Sequence, residues 1–182
     1  MFQDEREIIK SIQEFQQFHL PRWEELPDFE VYMDQLITLI NRYLNIFNRD
    51  DSSLLTPSMV NNYVKLKMMP KPIKKKYERI HIAYLIAITT LKQVLTISEI
   101  KEGIELQAKI SGLKGAYNLF CEEFENALNA VLDTFIAHKE PILKNDPLTK
   151  ENIAMKLCTM SLATKLLTKA LLEYKKSNQE LN

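Results

Sequence analysis

The chain has 182 residues, of which 46% are apolar, and its 24 basic and 24 acidic side chains leave no formal net charge. This composition is ordinary for a globular protein, and the length suits one domain, or one domain with an appendage. Only 3 residues are glycine, which argues against glycine-rich phosphate loops and multi-hairpin β structure, because both need positive φ angles. We therefore expect a mainly helical protein.

The first predicted element is a helix over about residues 4–18, followed by a linker in which Trp23 lies between two prolines. Residues 1–35 carry nine acids and three bases, a net charge of −6. Trp23 and Leu26 are interpreted as apolar anchors that hold the linker on the body of the protein. A tryptophan that stacks on a ligand is the alternative. This helix and linker form the first predicted part, residues 1–27.

Two helices with an apolar face open the second predicted part, residues 28–103. The first covers about residues 31–47, where apolar residues recur at helical spacing. The second begins at Thr56, because threonine followed by a proline such as Pro57 is typical of an N-cap and the first helical residue. This short helix is predicted over about residues 57–66.

A basic segment follows the short helix. Residues 65–79 carry seven bases and one acid, a net charge of +6, so this one window holds the whole basic excess of the chain. A polyanion responds to such local charge and not to the isoelectric point of the whole chain. A further helix over about residues 82–95 comes next, and the spacing of Thr96 and Glu99 predicts a capping box before another helix.

The third predicted part, residues 104–182, is helical and carries no recognisable chemistry. Large apolar residues step by three or four positions from Leu113 to Phe135, and again from Ile153 to Tyr174 after a proline-containing loop. One interpretation is a helical pair that packs on the rest of the chain. The other is a dimerisation or effector-sensing region, because stripes this large and aromatic would leave apolar surface in need of a partner.

The order of elements in the second part resembles the winged helix-turn-helix of MerR-like proteins. That family shows an aromatic pair at the end of its recognition helix, a Gly-Leu-Leu-Pro-type turn, a basic wing that closes on Tyr-Arg, a long helix and a capped next helix. This chain has Tyr63, then Met68-Met69-Pro70, a wing that ends at Tyr77, and the cap at Thr96. The glycine of the turn is replaced by Lys67, and Asn61-Asn62 stands where the family has Arg-Tyr.

The linker Leu20–Asp28, followed by Tyr32-Met33-Asp34-Gln35, resembles an uncharacterised bacterial family of unknown function with a MerR-like DNA-binding domain. Together the resemblances cover about residues 20–103. They imply a mainly α fold, with a winged helix-turn-helix that has a small β wing at most, followed by a C-terminal helical pair.

The resemblance implies a recognition helix over about residues 57–66 and a basic wing over residues 71–79. Independently, a helix of this length fits the major groove, asparagine pairs well with adenine, and wing lysines neutralise phosphates. A solvated basic loop and an ordinary polar helix face are the alternatives, and Tyr77 either packs under the wing or stacks on a sugar. The candidate DNA-binding residues are Ser58, Asn61, Asn62, Tyr63, Lys65, Lys67, Lys71, Lys74, Lys75, Lys76, Tyr77 and Arg79.

We therefore predict a transcriptional regulator that binds double-stranded DNA, as a homodimer formed through its C-terminal helices. A small-molecule effector between those helices is left open. The alternative is a non-enzymatic interaction module whose basic wing binds an acidic protein partner.

Other classes of function find little support. There is no glycine-rich nucleotide loop, no Gly-x-Ser-x-Gly elbow and no His-Glu-x-x-His motif, so we predict no enzyme, no cofactor and no metal site. The longest apolar run, residues 82–88, is far shorter than the roughly 18 residues of a membrane helix. The acidic N-terminus lacks the apolar core of a signal peptide. A cytoplasmic protein with Cys121 and Cys158 reduced is the expectation.

Overall fold

The computed structural model describes residues 12–47, 54–137 and 149–179. Within these ranges the protein is mainly helical and has no β-sheet, which confirms the predicted mainly α class. Most of the helix predicted over residues 4–18, and the loop of residues 141–147, lie outside the described residues.

Five α-helices are present in the described ranges: α1 is Met33–Tyr43, α2 is Pro57–Lys65, α3 is Arg79–Leu91, α4 is Ile97–Ala137 and α5 is Ile153–Gln179. Shorter 3₁₀ turns cover Gln13–Gln17, Trp23–Glu25 and Asn45–Phe47. Helix α4 is interrupted at Gly112, whose φ of 70° and ψ of 165° are not helical. Glycine adopts such a conformation without a steric cost.

Both predicted helix starts are confirmed. The Thr56 hydroxyl accepts a hydrogen bond from the backbone N–H of Met59 at 3.3 Å, and Pro57 is the first helical residue. The backbone N–H of Thr96 donates to Glu99 Oε2 at 2.7 Å, and the N–H of Glu99 donates back to Thr96 Oγ1 at 3.4 Å. These bonds satisfy donors that a helix leaves free at its N-terminus, and they fix where α2 and α4 begin.

Helix α3 begins and ends earlier than the predicted range of residues 82–95. It begins at Arg79 because the backbone N–H of Glu78 is satisfied by His81 Nδ1 at 2.9 Å, so Arg79, predicted as the last residue of the wing, is the first residue of the helix. It ends at Leu91 because residues 92–95 form hydrogen-bonded turns.

The chain divides into two compact units. The central unit is Leu20–Cys121, and the terminal unit combines Met1–His19 with Glu122–Asn182. The domain boundaries predicted after residues 27 and 103 remain predictions.

The core of the central unit is built on α3. Helix α1 packs against both α2 and α3, and its buried face includes Leu36 and Ile40. Helix α3 is buried on nearly every side, because its apolar residues do not form a single stripe. Its buried apolar residues are Ile82, Ala83, Leu85, Ile86, Ile88 and Leu91.

The proline-flanked linker is anchored within the central unit, as predicted. Leu26 is 2% exposed, and Trp23 packs edge-to-face on Tyr117 with 6.3 Å between ring centroids. The Tyr117 hydroxyl donates to the Pro21 carbonyl at 2.8 Å, and the Asn118 side chain accepts from the Trp23 backbone N–H at the same distance. These contacts favour the anchor interpretation of Trp23 over a ligand-stacking role.

In the terminal unit, the buried face of α5 differs from the predicted stripe. Ile153 and Leu157 are 40% and 55% exposed, although both belong to that stripe. A helix buries one face, and here the small side chains Ala163 and Ala170 lie on it, which permits close packing. The buried apolar residues of α5 are Leu162, Ala163, Leu166, Leu167 and Ala170.

Candidate nucleic-acid interface

Helix α2 separates a buried face from a polar exposed face. Val60 is fully buried and Tyr63 is 4% exposed, so this side of the helix belongs to the core. The other side carries short polar side chains and a lysine, which is the pattern of a helix that could contact base edges. The predicted site residues exposed on this face are Ser58, Asn61, Asn62 and Lys65.

Two predicted site residues, Tyr63 and Tyr77, lie in the core. Tyr77 is 3% exposed and packs edge-to-face on His81, with 5.5 Å between ring centroids. Burial raises the pKa values of the Tyr63 and Tyr77 phenols above the usual value for tyrosine. Tyr77 therefore packs under the wing, and we remove both tyrosines from the candidate surface because a buried ring has no access to DNA.

The turn after α2 is a Schellman motif with lysine at its left-handed position. Lys67 has a φ of 55°. The Met68 N–H donates to the Tyr63 carbonyl at 3.0 Å, and the Lys67 N–H donates to the Val64 carbonyl at 3.1 Å. Glycine is the usual residue here, since a side chain costs roughly 1 kcal/mol in this conformation. Lys67 thus holds a positive φ at a position that glycine would occupy at lower cost.

Replacing Lys67 with glycine should stabilise the protein. We expect Lys67→Gly to raise the free energy of unfolding by about 0.5–1 kcal/mol, because the left-handed conformation no longer opposes a Cβ atom. The matched control is Lys65→Gly, in the last turn of α2, which should lower stability by about 0.5 kcal/mol. Urea unfolding of the two variants measures both effects. Equal losses would show that Lys67 is not strained.

A tight turn forms the tip of the predicted wing. Lys74 and Lys75 have φ angles of 50° and 63°, and the Lys76 N–H donates to the Ile73 carbonyl at 2.9 Å. Positive φ at both central residues is the signature of a type I′ turn, which prefers Asn-Gly. Single β-bridges join Ile73 to Lys76 and Val31 to Tyr77. The wing is therefore a short ribbon held to the segment before α1.

The basic residues of the wing differ in what they contact. Lys76 forms a 2.7 Å ion pair with Glu30, which raises the pKa of that lysine. The Arg79 guanidinium donates to the Pro27 carbonyl at 3.4 Å and is half-buried. Both predicted phosphate contacts thus have partners in the protein. The remaining candidates, Lys67, Lys71, Lys74 and Lys75, are exposed.

Sequence reasoning missed Lys92, which lies close to the first turn of α2. Lys92 directly follows α3, and its ammonium donates to the Leu54 carbonyl at 2.7 Å and lies 3.7 Å from Met59 Sδ. Burial lowers the pKa of this lysine. The signal in the sequence is weak, because one lysine after an apolar helix resembles any surface residue.

The two cysteines are free thiols. Cys121 is buried and Cys158 is half-buried. Burial raises the pKa of the Cys158 thiol to about 11. A thiol of this kind is protonated at neutral pH and reacts slowly, since the thiolate is the nucleophile. This environment does not favour a redox role for Cys158.

The terminal unit contains a small cavity between α4 and α5, with a volume of about 20 Å³. A cavity of this size holds about one water molecule, so it does not fit a small-molecule effector. The predicted effector stays a prediction. The cavity is lined by Glu123, Asn126, Ala127, Ala130, Lys156, Thr159 and Met160.

Across the described ranges, no helix is long and apolar enough to span a bilayer. Nor does this part of the chain bring together three or more His, Cys, Asp or Glu side chains that could hold a metal ion.

The central unit matches a known protein family. A family model described as a domain of unknown function, DUF1836, matches residues 21–120, which nearly coincide with the central unit. No curated protein and no solved structure matches the chain.

Proposed function

Because this chain belongs to the DUF1836 family, which brings no known activity with it, we propose a function from the geometry of the central unit. The chain is a transcriptional regulator with a MerR-like winged helix-turn-helix. It binds duplex DNA with the polar face of α2 in the major groove and the lysine-tipped wing on the phosphate backbone.

One observation carries this proposal: three lysines occupy positions at which glycine would cost less. Lys67, Lys74 and Lys75 are the non-glycine residues with positive φ in the described part of the chain. Each side chain there costs roughly 1 kcal/mol. Sequences break local rules of this kind mostly where function requires it. A requirement for positive charge explains lysine at all three positions.

The arrangement of α2 and the wing supports the same proposal. Helix α2 has 9 residues, and a helix of this size can enter the major groove with its outward side chains against base edges. Asn61 and Asn62 would hydrogen-bond to base edges. Ser58 would bond to a base or a phosphate, and Lys74 and Lys75 would contact phosphates. Half or more of the hydrogen bonds in such complexes go to the backbone, which suits the wing.

We also propose that the regulator is a homodimer. Leu106 and Ile110 lie one turn apart on α4 and are 58% and 47% exposed, while Leu157 on α5 is 55% exposed. A contiguous exposed apolar patch marks a contact with another chain, and we propose that Leu106 and Ile110 belong to such a patch. A two-fold dimer would match a palindromic operator, whose half-sites repeat with the helical turn of DNA.

Selection of bound fragments from a random duplex pool, repeated at two salt concentrations, tests the proposal. We expect an enriched palindrome at both concentrations, because base contacts persist while phosphate contacts weaken with salt. Enrichment of no sequence, with all binding lost at the higher concentration, would contradict sequence-specific regulation and leave a basic surface without base readout.

The asparagines should set sequence preference. We expect Asn61→Ala or Asn62→Ala to reduce discrimination at one base pair of the selected site by about 1–3 kcal/mol, with little change in binding to random duplex. Competition between the selected site and its single-base variants measures this. A uniform loss over all sequences would count against base readout by these side chains.

Glu30 should weaken DNA binding, because it neutralises Lys76. We expect Glu30→Gln to raise affinity for the selected duplex by up to about tenfold near 0.1 M salt and to steepen the salt dependence by about one phosphate contact. Asp34→Asn is the matched control, since it removes an exposed acid near the start of α1 that has no ion pair with the wing. If both variants gain the same affinity for the duplex, the effect of Glu30→Gln comes from the change in net charge and not from loss of the ion pair with Lys76.

One observation favours the alternative of an interaction module. Ile73 in the wing and Tyr32 beside it are 61% and 54% exposed, and the apolar side chain of Ile73 gains nothing from phosphates. An acidic protein partner with apolar residues could contact them together with Lys74 and Lys75. Failure of the duplex selection, with the wing surface still able to bind acidic peptides, would support this second candidate.

A further inference from the structure

Lys92 connects the buried helix α3 to the start of the recognition helix. Its ammonium donates to the Leu54 carbonyl at 2.7 Å, two residues before the N-cap Thr56, and lies 3.7 Å from the sulfur of Met59 in the first turn of α2. Leu54 and its neighbour Leu55 are buried. The Lys92 side chain thus contacts both the segment before α2 and the first turn of α2.

The other end of α3 is joined to the wing. Glu78 is the N-cap of α3 and Arg79 is its first residue, so the end of the predicted wing passes directly into the helix, and Arg79 donates to the Pro27 carbonyl of the linker. Between these ends, α3 is buried on nearly every side, so it does not shift easily against the core. The N-terminal end of α3 therefore holds the wing in place. The C-terminal end of α3 holds the N-terminus of α2 through Lys92.

We propose that Lys92 is a positioning residue that holds the N-terminal end of α2 in one orientation, so that Ser58, Asn61 and Asn62 meet the base edges together. This inference rests on the proposed DNA-binding function. The half-buried Lys92 side chain donates to a carbonyl inside the protein. Desolvation lowers the pKa of Lys92, which fits a group that faces protein and not DNA. Lys92 then affects base recognition without itself contacting phosphate.

A positioning role and a phosphate contact differ in their salt dependence. Each lysine that neutralises a phosphate adds about one unit to the slope of log affinity against log salt. Loss of a positioning lysine should leave that slope unchanged, because the number of phosphate contacts stays the same. Discrimination between correct and incorrect sequences should fall, because the bidentate asparagine geometry tolerates little displacement.

The test compares Lys92→Met and Lys92→Arg with the wild type of the full chain, using the selected duplex and a scrambled duplex over a range of salt. We expect Lys92→Met to lose discrimination about tenfold with an unchanged slope. Lys92→Arg should retain most of it, because a guanidinium still donates to the carbonyl. Lys101→Met, at a half-exposed lysine of α4 outside the proposed interface, is the control and should behave like the wild type.

Wild-type discrimination in Lys92→Met would overturn the proposal. A salt slope lower by about one unit would also overturn it, because that result would make Lys92 a phosphate contact. If Lys92→Met does not fold, Lys92→Leu, which also lacks a hydrogen-bond donor, takes its place with the same expected outcome. If the wild type selects no duplex, the proposed function fails. Amide hydrogen exchange then tests Lys92 alone: Val60, whose N–H donates to the Thr56 carbonyl, should exchange faster in Lys92→Met than in Lys101→Met, and equal rates would refute the positioning role.

Discussion

Replacing the wing tip by Asn-Gly should weaken DNA binding while it stabilises the fold. In the variant with Lys74→Asn and Lys75→Gly, two phosphate contacts are lost, so affinity for duplex DNA should fall about 100-fold near 0.1 M salt and the salt slope by about 2. The same variant should gain about 1 kcal/mol of stability, because Asn-Gly is the preferred pair for a turn with two positive φ angles.

The opposite signs of the two effects make this variant informative. Fluorescence anisotropy with labelled duplex measures affinity and slope, and urea unfolding measures stability. The control variant, Lys74→Arg with Lys75→Arg, keeps both charges and the strained backbone, so it should bind like the wild type. An unchanged slope in the Asn-Gly variant would remove the wing from the proposed interface, and a loss of stability would refute the strain at the turn.

Breaking the buried ion pair of the terminal unit should cause the largest loss of stability. Lys156 Nζ lies 3.2 Å from Glu123 Oε1, and the two side chains are 7% and 11% exposed. We expect Lys156→Met to lower the free energy of unfolding by about 3 kcal/mol, because a carboxylate then remains buried without its cation. Chemical unfolding followed by circular dichroism measures the loss.

Removal of both charges should restore most of that stability. The double variant Glu123→Leu with Lys156→Met should lie within about 1 kcal/mol of the wild type, since apolar side chains of similar size often replace a buried ion pair without loss. Lys150→Met, at an exposed lysine before α5, controls for the loss of one charge and should change little. A double variant as unstable as Lys156→Met would mean that other contacts of Lys156 dominate.

Local features of the fold were predictable because they depend on neighbours in sequence. The helix starts at Thr56 and Thr96 follow from a hydroxyl or carboxylate within three residues of a free backbone N–H. The exposed polar face of α2 follows from the helical period, which places Asn61 and Asn62 away from Val60.

Other features of the candidate site join residues far apart in the chain. The Lys92–Leu54 contact spans 38 residues and the Lys76–Glu30 contact spans 46. Composition and periodicity do not specify which lysine meets which carboxylate or carbonyl. For the same reason the sequence placed Tyr63 among the DNA-binding candidates and left open whether Tyr77 packs under the wing or stacks on a sugar, although packing buries both.

The sequence by itself determined a mainly helical protein, the starts of α2 and α4, and a single basic window from residue 65 to residue 79. Tertiary structure alone decided which lysines of that window remain exposed and which side of α5 is buried. The reason is physical: caps and charge depend on adjacent residues, whereas burial and ion pairing depend on chain segments that meet only after folding.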